Sequence, residues 1–231
     1  MNRGAEKTRV PLLMRDRSFY HTFLILAGTL ILEQAVVLSV NLADNLMIGS
    51  YNETALAAVA AVNQIVFVVQ QVIYGVTNGV IVLSSQYWGK QQTAPIRRLV
   101  CLGLRLEAAL SMLFFAVVSL WPAQCVGLFV TDAAIIAEGV RYLHIEGAFY
   151  LGIGWLFLLY GLYRAVGRPG MSVVLTVISL GIRVALAYAL SAIPAVGVVG
   201  IWWSVPIGWV LADAVGLGYY WWKRRTLFEM R

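Results

Sequence analysis

The sequence predicts an all-α fold, a polytopic membrane protein of six transmembrane helices, and three observations lead there. Hydrophobic residues make up 61% of the 231 positions and charged residues 12%, against about a quarter charged in an ordinary water-soluble domain. Such a chain lacks the polar side chains to cover itself in water. Six apolar runs, at 22–46, 55–88, 99–121, 140–163, 171–192 and 197–222, are each long enough to cross a hydrocarbon core of about 30 Å. Finally, Lys and Arg gather only in alternate connections between these runs.

Taken in order, the first run follows a basic tail and is too long for the core of a signal peptide. No small-residue cleavage site follows it, so it reads as an uncleaved first helix. The second exceeds the length a bilayer requires and must tilt, protrude or bend, with Gly75 and Gly79 the places for a bend. Cys101 and Cys125 lie near opposite ends of the third, about 36 Å apart at the α-helical rise, and cannot bridge each other. A mildly amphipathic connection, 123–138, precedes the fourth and suits the membrane interface. RAVGRPG and SAIPAVG separate the fifth run from its neighbours. The whole is read as one six-helix domain, 1–231. Tyr87, Trp88, Trp121 and the 219–222 aromatics fall near helix ends, where two-faced rings anchor at the interface.

The basic residues orient the chain. Arg3, Lys7, Arg9, Arg15 and Arg17 precede the first run; Lys90, Arg97 and Arg98 follow the second; Arg164 and Arg168 follow the fourth; Lys223, Arg224, Arg225 and Arg231 end the chain. The three alternate connections hold none, which predicts both termini on the cytoplasmic side of the cell membrane. The net charge of +6 is thus a topological signal, spread in short clusters, and does not form a nucleic-acid surface.

Polar residues inside the runs bear on function. Glu33 and Asp44 are eleven residues apart, close to three full turns, so both project from one helix face about 16 Å apart. Asn41 and Asn45 extend that stripe. A carboxylate at this depth costs a few kcal/mol and belongs in the bundle interior, where it either binds a cation or takes up a proton. In the second run Gln64, Gln71, Asn78 and Ser85 recur every seven residues, with Gln86 adjoining, keeping nearly one face. That seam suits either interhelical hydrogen bonding or the lining of a wet cavity. Arg105 can snorkel outward. Glu107, Arg141, His144 and Glu146 are further charged or titratable residues within or opening spans; His144 reads as structural. Arg183 is too deep to snorkel and calls for an interior carboxylate, Asp213 and Glu33 being the candidates. No Walker, GxSxG or HExxH pattern occurs, and GRPG at 167–170 follows no strand; an enzyme is not expected, and no cofactor beyond a coupling ion.

The run ADNLMIGSYNETALAAVAAVNQI followed by GVTNGVIVLSSQYWGK resembles the first two helices of the multidrug and toxic compound extrusion (MATE) family. The likeness extends through RYLHI, and LYRAVGRPGMSVVLTVISLGIRVALAYAL and GVVGIWWSVPIGWVLAD resemble that family's second half. The family has twelve helices in two parallel six-helix lobes; this sequence is one lobe, joined in or near the fourth helix. The resemblance implies export of cationic amphipathic drugs against inward Na⁺ or H⁺, with Asp44 as the coupling acid and a possible Na⁺ ligand, Glu33 and Asn41 beside it, and Gln64, Gln71, Asn78 and Gln86 lining the cavity. Where the family brings an Asn and an acid from its fifth helix, this chain has Arg183 and Ala187. A parallel homodimer would replace the missing lobe. A lipid-linked sugar flippase and a non-transporting scaffold are the competing expectations.

Overall fold

The computed structural model describes residues 17–223. Arg3, Lys7, Arg9, Arg15, Arg224, Arg225 and Arg231, which enter the orientation argument, lie outside the described residues. Helices and short turns account for the described chain: α1 (Arg17–Tyr51), α2 (Glu53–Gly89), α3 (Thr93–Leu120), α4 (Pro122–Gly127), α5 (Ala133–Gly147), α6 (Tyr150–Ala165), α7 (Pro169–Thr176), a π-helical turn (Val177–Gly181), α8 (Ile182–Ser191) and α9 (Val198–Lys223). Five spans are single helices or, for Pro169–Ser191, one helix widened at its centre; the sixth is the pair α5 and α6, bent by 53°.

Local chemistry fixes the ends. Asn52 caps α2 by accepting from the Thr54 N–H at 2.8 Å. Asp132 caps α5 through the Ala134 and Ile135 N–H groups at 2.8 and 3.1 Å; each such cap contributes about 1 kcal/mol. Pro122 and Pro169 occupy first-turn positions of α4 and α7, where the missing N–H costs nothing. Gly167 ends the turn after α6 with φ +71°, a conformation that glycine adopts without strain.

Packing centres on α2 and α6. α2 lies against α3, α5 and α6, and α9 closes on α8 and α6. A Cβ at Gly161 of α6 would come within 2.6 Å of Ile81, and one at Gly103 of α3 within 2.9 Å of Val80. Small residues thus let the helix backbones approach, the usual basis of association where lipid is as apolar as leucine. α1 is the outlier. Its leucines at 24, 32, 38, 42 and 46 are exposed, as a lipid-facing surface requires, and among its described side chains only Glu33, Val40, Asp44, Met47 and Ile48 are buried.

One expectation needs correcting. The fourth span is not one helix over 140–163: it begins at Ala133, seven residues before that run, and breaks at Ala148–Phe149. A continuous apolar run conceals such a break because no proline marks it. α2, by contrast, is continuous through Gly75 and Gly79.

Candidate cation cavity

A cavity of about 400 Å³ lies between α1, α2, the α5–α6 bend, the π-turn with α8, and α9, within the size range of small-molecule sites. α1 contributes Glu33 and Asp44, with Asn41 and Asn45 beside them; Asn63, Gln70 and Tyr74 come from α2. Aromatic rings supply much of the rest, and Tyr74 stacks on Phe157 with centroids 4.3 Å apart.

Charge is concentrated in two ion pairs. Arg183 of α8 contacts Asp44, and Arg164 at the end of α6 contacts Glu33. Both acids are buried; Arg183 is largely so, while Arg164 keeps 30% of its side chain exposed. Arg164 also reaches Ser172 Oγ at 3.4 Å and lies 5.9 Å from the Tyr160 ring centre. The Asp44–Arg183 contact is one of charge proximity. Neither Asp44 oxygen accepts a well-directed hydrogen bond among the described residues, and Arg183 Nε finds no acceptor. Removing charges from water costs several kcal/mol per ion, returned only when geometry and hydrogen bonds are good. This pair therefore has unmet bonding capacity facing a cavity.

Placement of Arg183 depends on the π-turn. Gly208 of α9 packs directly on the Ser179 carbonyl oxygen, so closely that a Cβ there would collide with backbone. The approach is possible because 208 is glycine. Pro206, inside α9, has no N–H to give the Trp202 carbonyl one turn earlier. Wide turns of this kind concentrate at functional sites.

A family model, MatE, matches residues 29–189, well over half of the chain. The chain belongs to the MatE family. It is 22% identical over 186 residues to "Probable multidrug resistance protein YoeA" of Bacillus subtilis (strain 168), covering 79% of this chain and 40% of that protein. It is 28% identical over 159 residues to "Probable multidrug resistance protein NorM" of Rhizobium meliloti (strain 1021), covering 68% of this chain and 33% of the relative. The solved outward-facing conformation of a multidrug resistance MATE family transporter of the MOP superfamily superposes with TM-score 0.87 at 16% identity, over 94% of this chain and 49% of that one. The chain therefore spans half or less of the length of these relatives. It is a multi-pass cell-membrane protein of a transporter family.

Within this MatE lobe the α1 stripe assembles as its spacing predicts: Glu33, Asn41 and Asp44 all line the cavity. The α2 seam lies outside this cavity. Gln64, Gln71, Asn78 and Gln86 are exposed on another face, and the cavity takes Asn63 and Gln70, one residue earlier in each case. A period of seven identifies a face without saying where it points. Arg183 pairs with Asp44 instead of Asp213 or Glu33. Asp213 is buried beside Gly152, outside the cavity lining, and its Oδ1 has no hydrogen-bond partner among the described residues. The Na⁺ expectation for Asp44 meets a competing guanidinium at the same carboxylate. No group of three or more His, Cys, Asp or Glu side chains among the described residues is arranged to hold a metal ion. Arg164, read as a loop charge, instead reaches back to Glu33.

Proposed function

We propose that this lobe is half of a cation-coupled antiporter that exports cationic amphipathic compounds, completed by a second copy of the same chain lying parallel to it, with both termini cytoplasmic. The observation that carries the reading is the cavity's charge: three acids, Glu33, Asp44 and Glu146, against two arginines, Arg164 and Arg183. With all five ionised the lining is one charge negative, which favours a cation over an anionic lipid-linked sugar. The aromatic lining adds cation–π attraction, worth about 2 kcal/mol when desolvated.

Coupling follows from competition. A Na⁺ ion or proton reaching Asp44 displaces Arg183, and a substrate cation in the cavity has the opposite preference; only such differential binding shifts one conformation against another. Inward movement of one positive charge releases about 2.3 kcal/mol per 100 mV of membrane potential.

The second lobe is argued from exposed amides. Gln34, Asn41, Asn45 and Asn63 rim the cavity with exposed side chains, and Gln64, Gln71 and Asn78 continue along α2. Carboxamides facing acyl chains are costly, whereas a facing lobe or a wet cleft between two lobes satisfies them. Dye efflux from cells expressing the chain tests the transport reading: wild type should lower dye retention and Asp44→Asn should abolish the effect. Equal retention with and without the wild-type protein rejects it. Cysteine at Asn78, oxidised in membranes of a variant lacking Cys101 and Cys125, should give a covalent dimer; a monomer at every exposed α2 amide tested rejects the second copy.

A further inference from the structure

We propose that Glu146 is a second cation-binding residue of the cavity, taking a monovalent cation because Arg183, held by Asp44, does not neutralise its carboxylate; this rests on the transport reading for its purpose but not for its chemistry.

Glu146 occupies the last turn of α5, immediately before the 53° break that separates α5 from α6. Its side chain lines the cavity, yet the residue is only 3% exposed. Its Oε2 has no hydrogen-bond partner among the described residues. The groups that face it are few. Tyr142 neighbours it on its own helix; Tyr150 approaches from α6, Arg183 from α8 and, beyond Tyr142, Asp44 from α1. The cavity-lining residues of α2 and α9 are uncharged. Arg183 is thus the one cation near Glu146 among the described residues, and its contact is with Asp44.

Two carboxylates sharing one guanidinium leave one negative charge over. The end of a broken helix adds to it, because the C-terminal carbonyls of α5 present the negative pole of the helix dipole. Half-helix C-termini inside membranes are places where small cations are held. The unpartnered Oε2, the shared arginine and the helix end all favour a positive charge at one point. Tyr142, four residues earlier on the same helix and packed 5.4 Å from Trp202, borders the carboxyl.

The test is infrared difference spectroscopy of the full chain in lipid nanodiscs, reading carboxyl and carboxylate stretches. Three perturbations are applied: alkalinisation, replacement of K⁺ by Na⁺, and addition of tetraphenylphosphonium. At least one should produce a carboxyl change that is lost in Glu146→Gln. A change with alkalinisation alone identifies a proton, with Na⁺ a sodium ion, and with tetraphenylphosphonium an organic cation. Tyr142→Phe should shift that band's frequency without removing it, and this variant decides the matter if Glu146→Gln does not fold. Difference spectra that coincide between wild type and Glu146→Gln for all three perturbations, or a band unmoved by Tyr142→Phe, overturn the proposal. Because no readout needs transport, a failure of dye efflux rejects the transport reading alone.

Discussion

Among the described residues five acids are buried, and they divide into two regions that share burial and little else. Glu33, Asp44 and Glu146 line a cavity and sit near guanidinium groups; Glu107 and Asp213 are sealed between helices away from it. Glu107 is fully buried, accepts a hydrogen bond from Thr77 Oγ1 at 2.7 Å, and lies close to Gly154 across the α3–α6 contact. A hydroxyl instead of a charge meets one of its oxygens, and the other has no hydrogen-bond partner among the described residues. Burial in hydrocarbon therefore does not by itself mark a functional acid. Access to a cavity, together with an incompletely satisfied ionic partner, separates the first group from the second.

The sharpest way to break that division is to remove the arginine shared by the cavity acids. Arg183→Met leaves Asp44 without its counter-charge, and breaking a buried pair from one side costs about 3–5 kcal/mol. Unfolding in detergent should show a loss of this size, and adding Asp44→Asn should restore most of it. A double variant no more stable than the single would mean that the pair has no such role.

How much of this was legible depends on which residue is asked. Glu33 and Asp44 were placed correctly because an eleven-residue spacing fixes a shared face and lipid forbids the outward choice. Gln64, Gln71 and Asn78 share a face as their period of seven requires, and that face is exposed beside the cavity instead of within it, because periodicity carries no direction. Glu146 was visible as a charge opening the fourth span, yet its position depends on the break at Ala148–Phe149, which no proline signals. Arg164 illustrates a different limit. Its side chain is long enough to serve as a boundary charge and as the partner of Glu33, and only the fold decides between them.

Gly208→Ala should act on the cavity through backbone alone. A methyl group there meets the Ser179 carbonyl, which belongs to the π-turn preceding Arg183, and overpacking of this kind costs about 1–3 kcal/mol. Thermal unfolding should register that loss, and accessibility labelling of a cysteine introduced at Leu180 should change. If labelling is unaltered while stability falls, the π-turn supports the fold but does not set the cavity wall.

A smaller effect is expected at the other ion pair. Glu33→Gln keeps an oxygen acceptor for Arg164, and that arginine is partly exposed, so solvent screening reduces the loss to about 1 kcal/mol. The comparison with Arg183→Met should thus follow exposure: 17% of the Arg183 side chain against 30% for Arg164. Equal losses at the two sites, measured by the same unfolding assay, would show that both arginines are equally removed from water.

The sealed acids should be nearly silent. Glu107→Gln retains an acceptor for the Thr77 hydroxyl and replaces an oxygen that already lacks a partner, so no favourable contact among the described residues is removed. Dye efflux should match wild type, because neither the cavity lining nor its ion pairs are touched. Loss of efflux in Glu107→Gln with stability unchanged would join the two regions into one, because a carboxyl outside the cavity would then be exchanging its proton with those inside.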